Sequence, residues 1–343
     1  MESESKQVMK QRKKQLEVLD ILKEALTILV KNTNFIIFAF LTSLPLLFLM
    51  IHFETLFQQI LVDTPRIVKH ILLQFNTKLY GGFIYEHVII LTDDDATIHL
   101  DQDYYTVTSF SSKDYLPNLI QLVFMYLVPL HVLELGSAAL TVYVSSKLKS
   151  EEGRLSLKQM FLESFDASTM KGTFITSLYL LSMSSGILLA AAWTVSNSYI
   201  LYMTFGCYIV FALICFAALT KLLMVYLEWS AIWNMSIVIS VMDGIHGAGA
   251  LRVSFFLSSG NQKRGLYLML VFFALGVCFR VPCIFLGCYK GGSGIFVQVG
   301  LFFLVNTLKW VSCMIYFSDC KERKLEKKII DDVEVGKDLQ SGS

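Results

Sequence analysis

The stretch Leu266-Tyr-Leu-Met-Leu-Val-Phe-Phe-Ala-Leu-Gly-Val-Cys-Phe-Arg280-Val-Pro-Cys-Ile-Phe-Leu286 carries one charged residue, Arg280. As a helix rising 1.5 Å per residue it extends about 30 Å, the thickness of a bilayer's hydrocarbon core. A second apolar run, Ile295 to Phe317, follows after the short segment Tyr289-Lys290-Gly291-Gly292-Ser293-Gly294 and holds one charge, Lys309. Two such runs joined by a glycine-rich turn read as a pair of membrane-spanning helices.

Working outward, the same grammar recurs along the chain. The first span is expected at about Phe35 to Ile51, short for a bilayer, with Pro45 kinking it without ending it. The second is expected at about Leu116 to Ser145, around Pro117 and Pro129. The third runs from about Phe174 to Val195, with Ser196-Asn197-Ser198 as a tight turn into the fourth. From Tyr199 to Met242 no turn signal appears, and a helix of that length is too long for one crossing. A membrane exit is therefore expected near Lys221 to Glu228, both acting as interfacial anchors. Trp229 to Met242 then becomes an interfacial or subunit-packing continuation, ended by Gly244, Gly247 and Gly249. The fifth and sixth spans are the two runs quoted first. The expected fold is an all-α integral membrane protein with about six transmembrane helices, flanking amphipathic helices and a luminal loop or hairpin.

Composition agrees. Of 343 residues, 55% are hydrophobic and only 17% charged, against about 45–50% and about 25% in soluble domains. The mean hydropathy is +0.57. A net charge of +1 gives nucleic acid no electrostatic foothold. No cleavable signal peptide is expected, because the first 34 residues are polar and basic.

Charge also sets orientation. Arg12, Lys13, Lys14 and Lys23 precede the first span, and Lys321, Arg323, Lys324, Lys327 and Lys328 follow the last. Positive charge stays cytosolic, so both ends are expected in the cytosol and the number of spans is even. This divides the chain into a cytosolic amphipathic helix (1–34), a membrane domain (35–317) with a luminal loop (54–115), and a cytosolic tail (318–343). In the first segment Leu16, Leu19, Leu22, Leu26 and Leu29 recur at helical spacing, an apolar stripe suited to the membrane surface or to a neighbouring subunit. In the loop, Phe57 to Phe75 reads as interfacial helix. The chain is then expected to turn at Gly81-Gly82 into a small hairpin containing Val88, Ile89 and Ile90.

Ionisable groups inside spans cost about 2.5–3.5 kcal/mol each to insert, so each is a functional candidate. His131, Glu134, Ala138, Thr141 and Ser145 fall on one helical face. Two readings remain open: a water-filled path on which Glu134 draws cations, with His131, Thr141 and Ser145 as co-lining residues, or a packing face with Glu134 neutralised by His131 or a lysine. Lys309, with Gln298 on its face, either pairs with Glu134 or snorkels to the headgroups. Arg280, midway along the fifth span, calls for an internal partner. Asp93, Asp94, Asp95, Asp101 and Asp103 form an acidic luminal loop, either simply solvated or concentrating cations electrostatically; their spacing fixes no metal and matches no EF-hand.

No catalytic signature or cofactor motif emerges, and no enzyme activity is expected. Gly247-Ala248-Gly249 lacks the strand and third glycine of a dinucleotide fingerprint. The seven cysteines make no zinc pattern; Cys207, Cys215, Cys278, Cys283 and Cys313 lie in or near apolar spans. Only Cys288 is expected in a luminal loop, so no luminal disulfide framework is expected. Cys320, at a cytosolic membrane edge, is either palmitoylated or an unmodified thiol, the second being preferred.

Two segments carry a family resemblance. Tyr226-Leu-Glu-Trp-Ser-Ala-Ile-Trp-Asn-Met-Ser-Ile-Val-Ile-Ser-Val-Met-Asp-Gly244, continuing to Ala250-Leu-Arg-Val-Ser254, resembles a large plant family of six-span endoplasmic-reticulum membrane proteins. Leu19-Asp-Ile-Leu-Lys-Glu-Ala-Leu26, leading into the first span, is similar to that family's N-terminal pattern. The resemblance covers most of the chain. It implies a homo-oligomer, a pentamer, forming a channel in the endoplasmic-reticulum bilayer that passes calcium and monovalent cations and serves plant defence. It carries over no pore residue, and Lys309 departs from what a cation path wants. The rival readings are a membrane-embedded enzyme or carrier for lipophilic substrates, built on Arg280, Glu134 and Lys309, and a non-catalytic membrane scaffold.

Overall fold

The computed structural model describes residues 17–89, 117–150, 156–163, 167–205, 208–290 and 292–341. Among these the structure is helical and contains no strand. The helices are α1 (Val18–Lys31), α2 (Thr33–Ile89), α3 (His131–Ser150), α4 (Leu157–Glu163), α5 (Ala167–Phe205), α6 (Tyr208–Met242), α7 (Ala248–Ser258), α8 (Gln262–Phe285) and α9 (Gly294–Ser341). Residues 117–125 and a π-helical turn, Tyr126–Leu130, lead into α3; the turn forms around Pro129, whose missing N–H cannot serve a regular ladder.

Among the described residues, six helical stretches are long and apolar enough to cross a membrane: Thr33–Val62, Pro117–Ser150, Met170–Ala191, Phe216–Met242, Gln262–Phe285 and Gly294–Glu326. Much of their surface points away from the chain's own core. Phe48, Leu189, Phe216 and Phe285 are 73%, 70%, 71% and 86% exposed, which suits a multi-pass membrane protein and not a water-facing surface.

Several boundaries differ from the sequence expectation. The first apolar helix does not stop at Ile51. It continues through Glu54, Phe57 and Gln58, and α2 as a whole runs past Gly81-Gly82 to Ile89. Two glycines lower helix propensity by about 1 kcal/mol each but impose no break. Val88 and Ile89 are therefore helical and not strand; residues 93–103, where the remaining hairpin was expected, lie outside the described residues. Ser196-Asn197-Ser198 makes no turn either. Serine and asparagine are tolerated inside a helix, and α5 ends only at Phe205, just before Gly206. The fourth apolar stretch consequently moves to Phe216–Met242. Its second half, expected at an interface, supplies the fully buried Met235, Val238 and Ile239. The helix of the sixth stretch extends beyond Phe317 to Ser341.

By contacts the chain divides into two compact units, residues 1–44, 134–277 and 303–343 in one and 45–133 and 278–302 in the other. The larger unit has a continuous apolar core that includes Ile21, Phe35, Phe38, Val142, Met235, Ile239, Leu268 and Met314. Helix α1 starts with a capping box in which the Glu17 backbone N–H donates to Asp20 Oδ2 at 3.2 Å. The face it turns to the core is Ile21, Ala25 and Leu29; Leu19 and Leu26 of the expected stripe are exposed. The leucine spacing located the helix but not its buried side, because Ile21 and Ala25 outweigh it in packing. Helices α5 and α6 pack along each other, and α6 packs on α7. At that corner Thr176 Oγ1 donates to Ser240 Oγ (3.2 Å), Ser240 Oγ lies 2.8 Å from His246 Nδ1, and the Gly247 N–H donates to Thr176 Oγ1 (2.8 Å). These bonds fasten the turn that ends α6. Ser254 Oγ adds a tie from α7 to the Ile232 carbonyl.

Candidate functional site

Among the described residues, each unit holds a pair of opposite charges inside its apolar stretches, and the two pairs are built differently. In the smaller unit, Glu54 and Gln58 sit one helical turn apart on α2, so both side chains share a face. Glu54 is completely buried. Its carboxylate accepts from the Arg280 guanidinium of α8 through two contacts, Nη2 to Oε1 and Nε to Oε2, the latter at 3.2 Å. This bidentate fork is the strong form of the carboxylate–arginine pair. Gln298 Nε2 of α9 donates to the same carboxylate at 3.2 Å, and Gln58 Nε2 donates to Gln298 Oε1 at 2.8 Å. The guanidinium carbon lies 4.9 Å from the Phe57 ring centroid and 5.2 Å from that of Phe302. Ring faces and carboxylate together replace the water that the guanidinium gives up. The internal partner expected for Arg280 is thus Glu54, and the pair is a bidentate brace on a fully buried carboxylate.

In the larger unit Glu134 stands near the middle of the Pro117–Ser150 stretch, and Lys309 near the middle of Gly294–Glu326. Lys309 Nζ lies 3.8 Å from Glu134 Oε1. That is an ion pair longer than a hydrogen bond. The side chains are 40% and 21% exposed for Glu134 and Lys309 respectively. Lys309 Nζ also sits 4.7 Å from the Trp310 ring centroid, which shares its charge. The pairing of Glu134 with Lys309 is one of the two arrangements expected for that lysine. Unlike the brace, this pair is loose and open.

The expected stripe around Glu134 divides. Thr141 and Ser145 are buried and donate to carbonyls of their own helix, Ser137 O at 2.7 Å and Val142 O at 3.0 Å. Ala138 is buried as well, while His131 is half-buried. Ser137 Oγ meets Ser43 Oγ of α2 at 2.7 Å. The C-terminal half of the stripe is therefore packing within the chain, and the N-terminal half presents Glu134. The acidic loop, Asp93 to Asp103, lies outside the described residues.

At one end of the larger unit, Asp319 accepts from Arg264 Nη1 (2.8 Å) and Arg323 Nη2 (2.9 Å), and Asp243 accepts from Lys321 Nζ (2.7 Å). These ties bind the end of α6 and the start of α8 to α9. Cys320, between them, is fully buried, so its sulfur offers no surface for an acyl chain. Lys221 is exposed and Glu228 half-buried on α6.

Sequence reading did not single out Glu54 or Gln58. The signal was present: Glu54 and Gln58 are spaced four apart and interleaved with Phe53, Phe57 and Leu61, a polar seam on an apolar helix. Comparison of the chain with family models, with curated proteins and with solved structures gives no match.

Proposed function

We propose that the chain assembles into a ring of identical copies forming a calcium-permeable cation channel, with Glu134 facing the path. The observation that carries this reading is a half-exposed carboxylate at the middle of a membrane-length helix. Against lipid it would cost a few kcal/mol. Water, or another copy, has to cover it.

A ring supplies both. One carboxylate per chain becomes a circle of carboxylates, which is a recurrent device for cation selection. Mutual repulsion among them favours a divalent ion, which neutralises two charges at once. Lys309 tempers the site without closing it, because at 3.8 Å it leaves lone pairs of Glu134 for water or a passing ion. On this reading the membrane is the endoplasmic reticulum, as the family resemblance implies; both termini are cytosolic and the acidic loop faces the lumen, as the Lys and Arg clusters at the two ends of the chain imply. The full barrier to ions thus rests on residues contributed by every copy.

The test is reconstitution of the purified chain in planar bilayers under calcium and potassium gradients, with oligomer mass measured on the same sample. A closed oligomer with discrete calcium currents supports the proposal. A monodisperse monomer without conductance overturns it.

A further inference from the structure

Between the fourth and fifth apolar stretches lies α7, a helix of 11 residues. At 1.5 Å per residue it extends about 16 Å, half of what a bilayer crossing needs. It therefore stands at the membrane edge where α6 ends and α8 begins. Its two sides differ. Ala250, Ser254, Leu257 and Ser258, at helical spacing, are buried, and Ser254 is tied to the Ile232 carbonyl of α6. On the other side Arg252 is exposed, and Phe255 and Phe256 are 51% and 61% exposed. An apolar outer face carrying a cation is the pattern of a helix that lies in the lipid interface.

Lys324 of α9 brings a second cation to this face. Its Nζ lies 4.6 Å from the Phe256 ring centroid. Arg252 stands one helical turn before Phe256 on α7, so the two cations flank one ring. Among the described residues, no carboxylate pairs with either of them; those of this edge are engaged elsewhere, Asp243 with Lys321 and Asp319 with both Arg264 and Arg323. No Asp or Glu occurs in the chain between Asp243 and Asp319. Glu322 and Glu326 lie about 160° around α9 from Lys324, at 100° per residue. The outer face of α7 is thus both apolar and locally cationic.

We propose that the outer face of α7, together with Lys324, is a docking site for anionic phospholipid of the adjoining leaflet. Phe255 and Phe256 enter the boundary between headgroups and acyl chains, which sets the depth of the two cations. Arg252 then offers its planar fork to phosphate oxygens, and Lys324 a point charge. A zwitterionic lipid carries its own cation beside the phosphate, so two protein cations favour a headgroup of net negative charge. A leaflet supplies anion and apolar chain at adjoining depths, as this face requires; a second copy would have to supply both from one surface. The inference concerns lipid alone and holds whether or not the assembly conducts ions.

Native mass spectrometry of the full chain in neutral detergent counts retained lipid as phosphatidylserine, phosphatidylcholine or soluble glycerophosphoserine is titrated in. Wild type should retain phosphatidylserine in preference to the other two. Arg252→Gln and Lys324→Gln should each weaken that binding about fivefold, and the double variant about 25-fold. Lys221→Gln, toward the opposite end of the Phe216–Met242 stretch, should leave it unchanged. Arg252 is exposed, so its variant decides alone should Lys324→Gln fail to fold. Equal retention of phosphatidylcholine, equal binding of glycerophosphoserine, or an equal loss in Lys221→Gln would overturn the proposal. An Arg252→Gln protein that splits an oligomer while keeping its lipid would also overturn it, and would assign the face to a second copy.

Discussion

Removing Arg280 should destabilise the chain far more than neutralising its partner does. Glu54 is fully buried, and in Arg280→Met its charge keeps only amide donors around it. Breaking one side of a buried ion pair costs about 3–5 kcal/mol. In Glu54→Gln the amide can still bond Gln298, and the stranded guanidinium is 35% exposed between two rings. That change should cost about 1–2 kcal/mol. In the double variant no charge remains to be stranded, so Arg280→Met should add only about 1 kcal/mol on the Glu54→Gln background. The coupling is then about 2–4 kcal/mol, or about 30- to 1,000-fold in the unfolding equilibrium. Unfolding of the four proteins by graded SDS in mixed micelles, followed by tryptophan fluorescence, measures the cycle. Additive costs, or a larger loss in Glu54→Gln than in Arg280→Met, would refute the account of the brace.

Two further expectations concern packing and topology. A Cβ at Gly265 of α8 would stand 2.9 Å from Ala231 Cβ and 3.1 Å from Tyr316 Oη, whereas at Gly276 nothing lies within 4 Å. Gly265→Ala should cost about 1–3 kcal/mol by overpacking, while Gly276→Ala should be neutral or stabilising by up to about 1 kcal/mol. The same SDS titration checks this order, and its reversal would show the helix contacts to be wrong. The Lys and Arg clusters at both ends should leave both termini cytosolic. Tags at either end should be digested by protease outside sealed microsomes, and one protected tag removes the even-span topology.

The sequence located the apolar stretches well, because uncharged runs and their separation are written in composition. Where helices end was less legible. Gly81-Gly82 and Ser196-Asn197-Ser198 weaken a helix locally, yet neither compels a turn, and both are helical. The extension of the first apolar helix to Val62 had the same cause: Glu54, Gln58 and Gln59 lower the hydropathy of a segment whose polar side is buried. Ending the span at Ile51 concealed Glu54, the partner that Arg280 required. The Lys309–Glu134 pairing was legible because both charges stand alone in their runs. The separation of Thr141 and Ser145 from Glu134 was not, since a shared helical face does not reveal which part of it meets a neighbouring helix.

The account rests most heavily on Glu134, and single-channel recording of wild type and Glu134→Gln in planar bilayers tests it most directly. The variant keeps the side chain's shape and removes its charge, and a carboxylate 40% exposed has little folding role to lose. Oligomer mass should therefore be unchanged. Calcium permeability relative to potassium should fall several-fold, because the ring loses the charge that favours a divalent ion. Currents with unchanged calcium preference from an intact Glu134→Gln oligomer would contradict the claim and leave Glu134 as a packing residue.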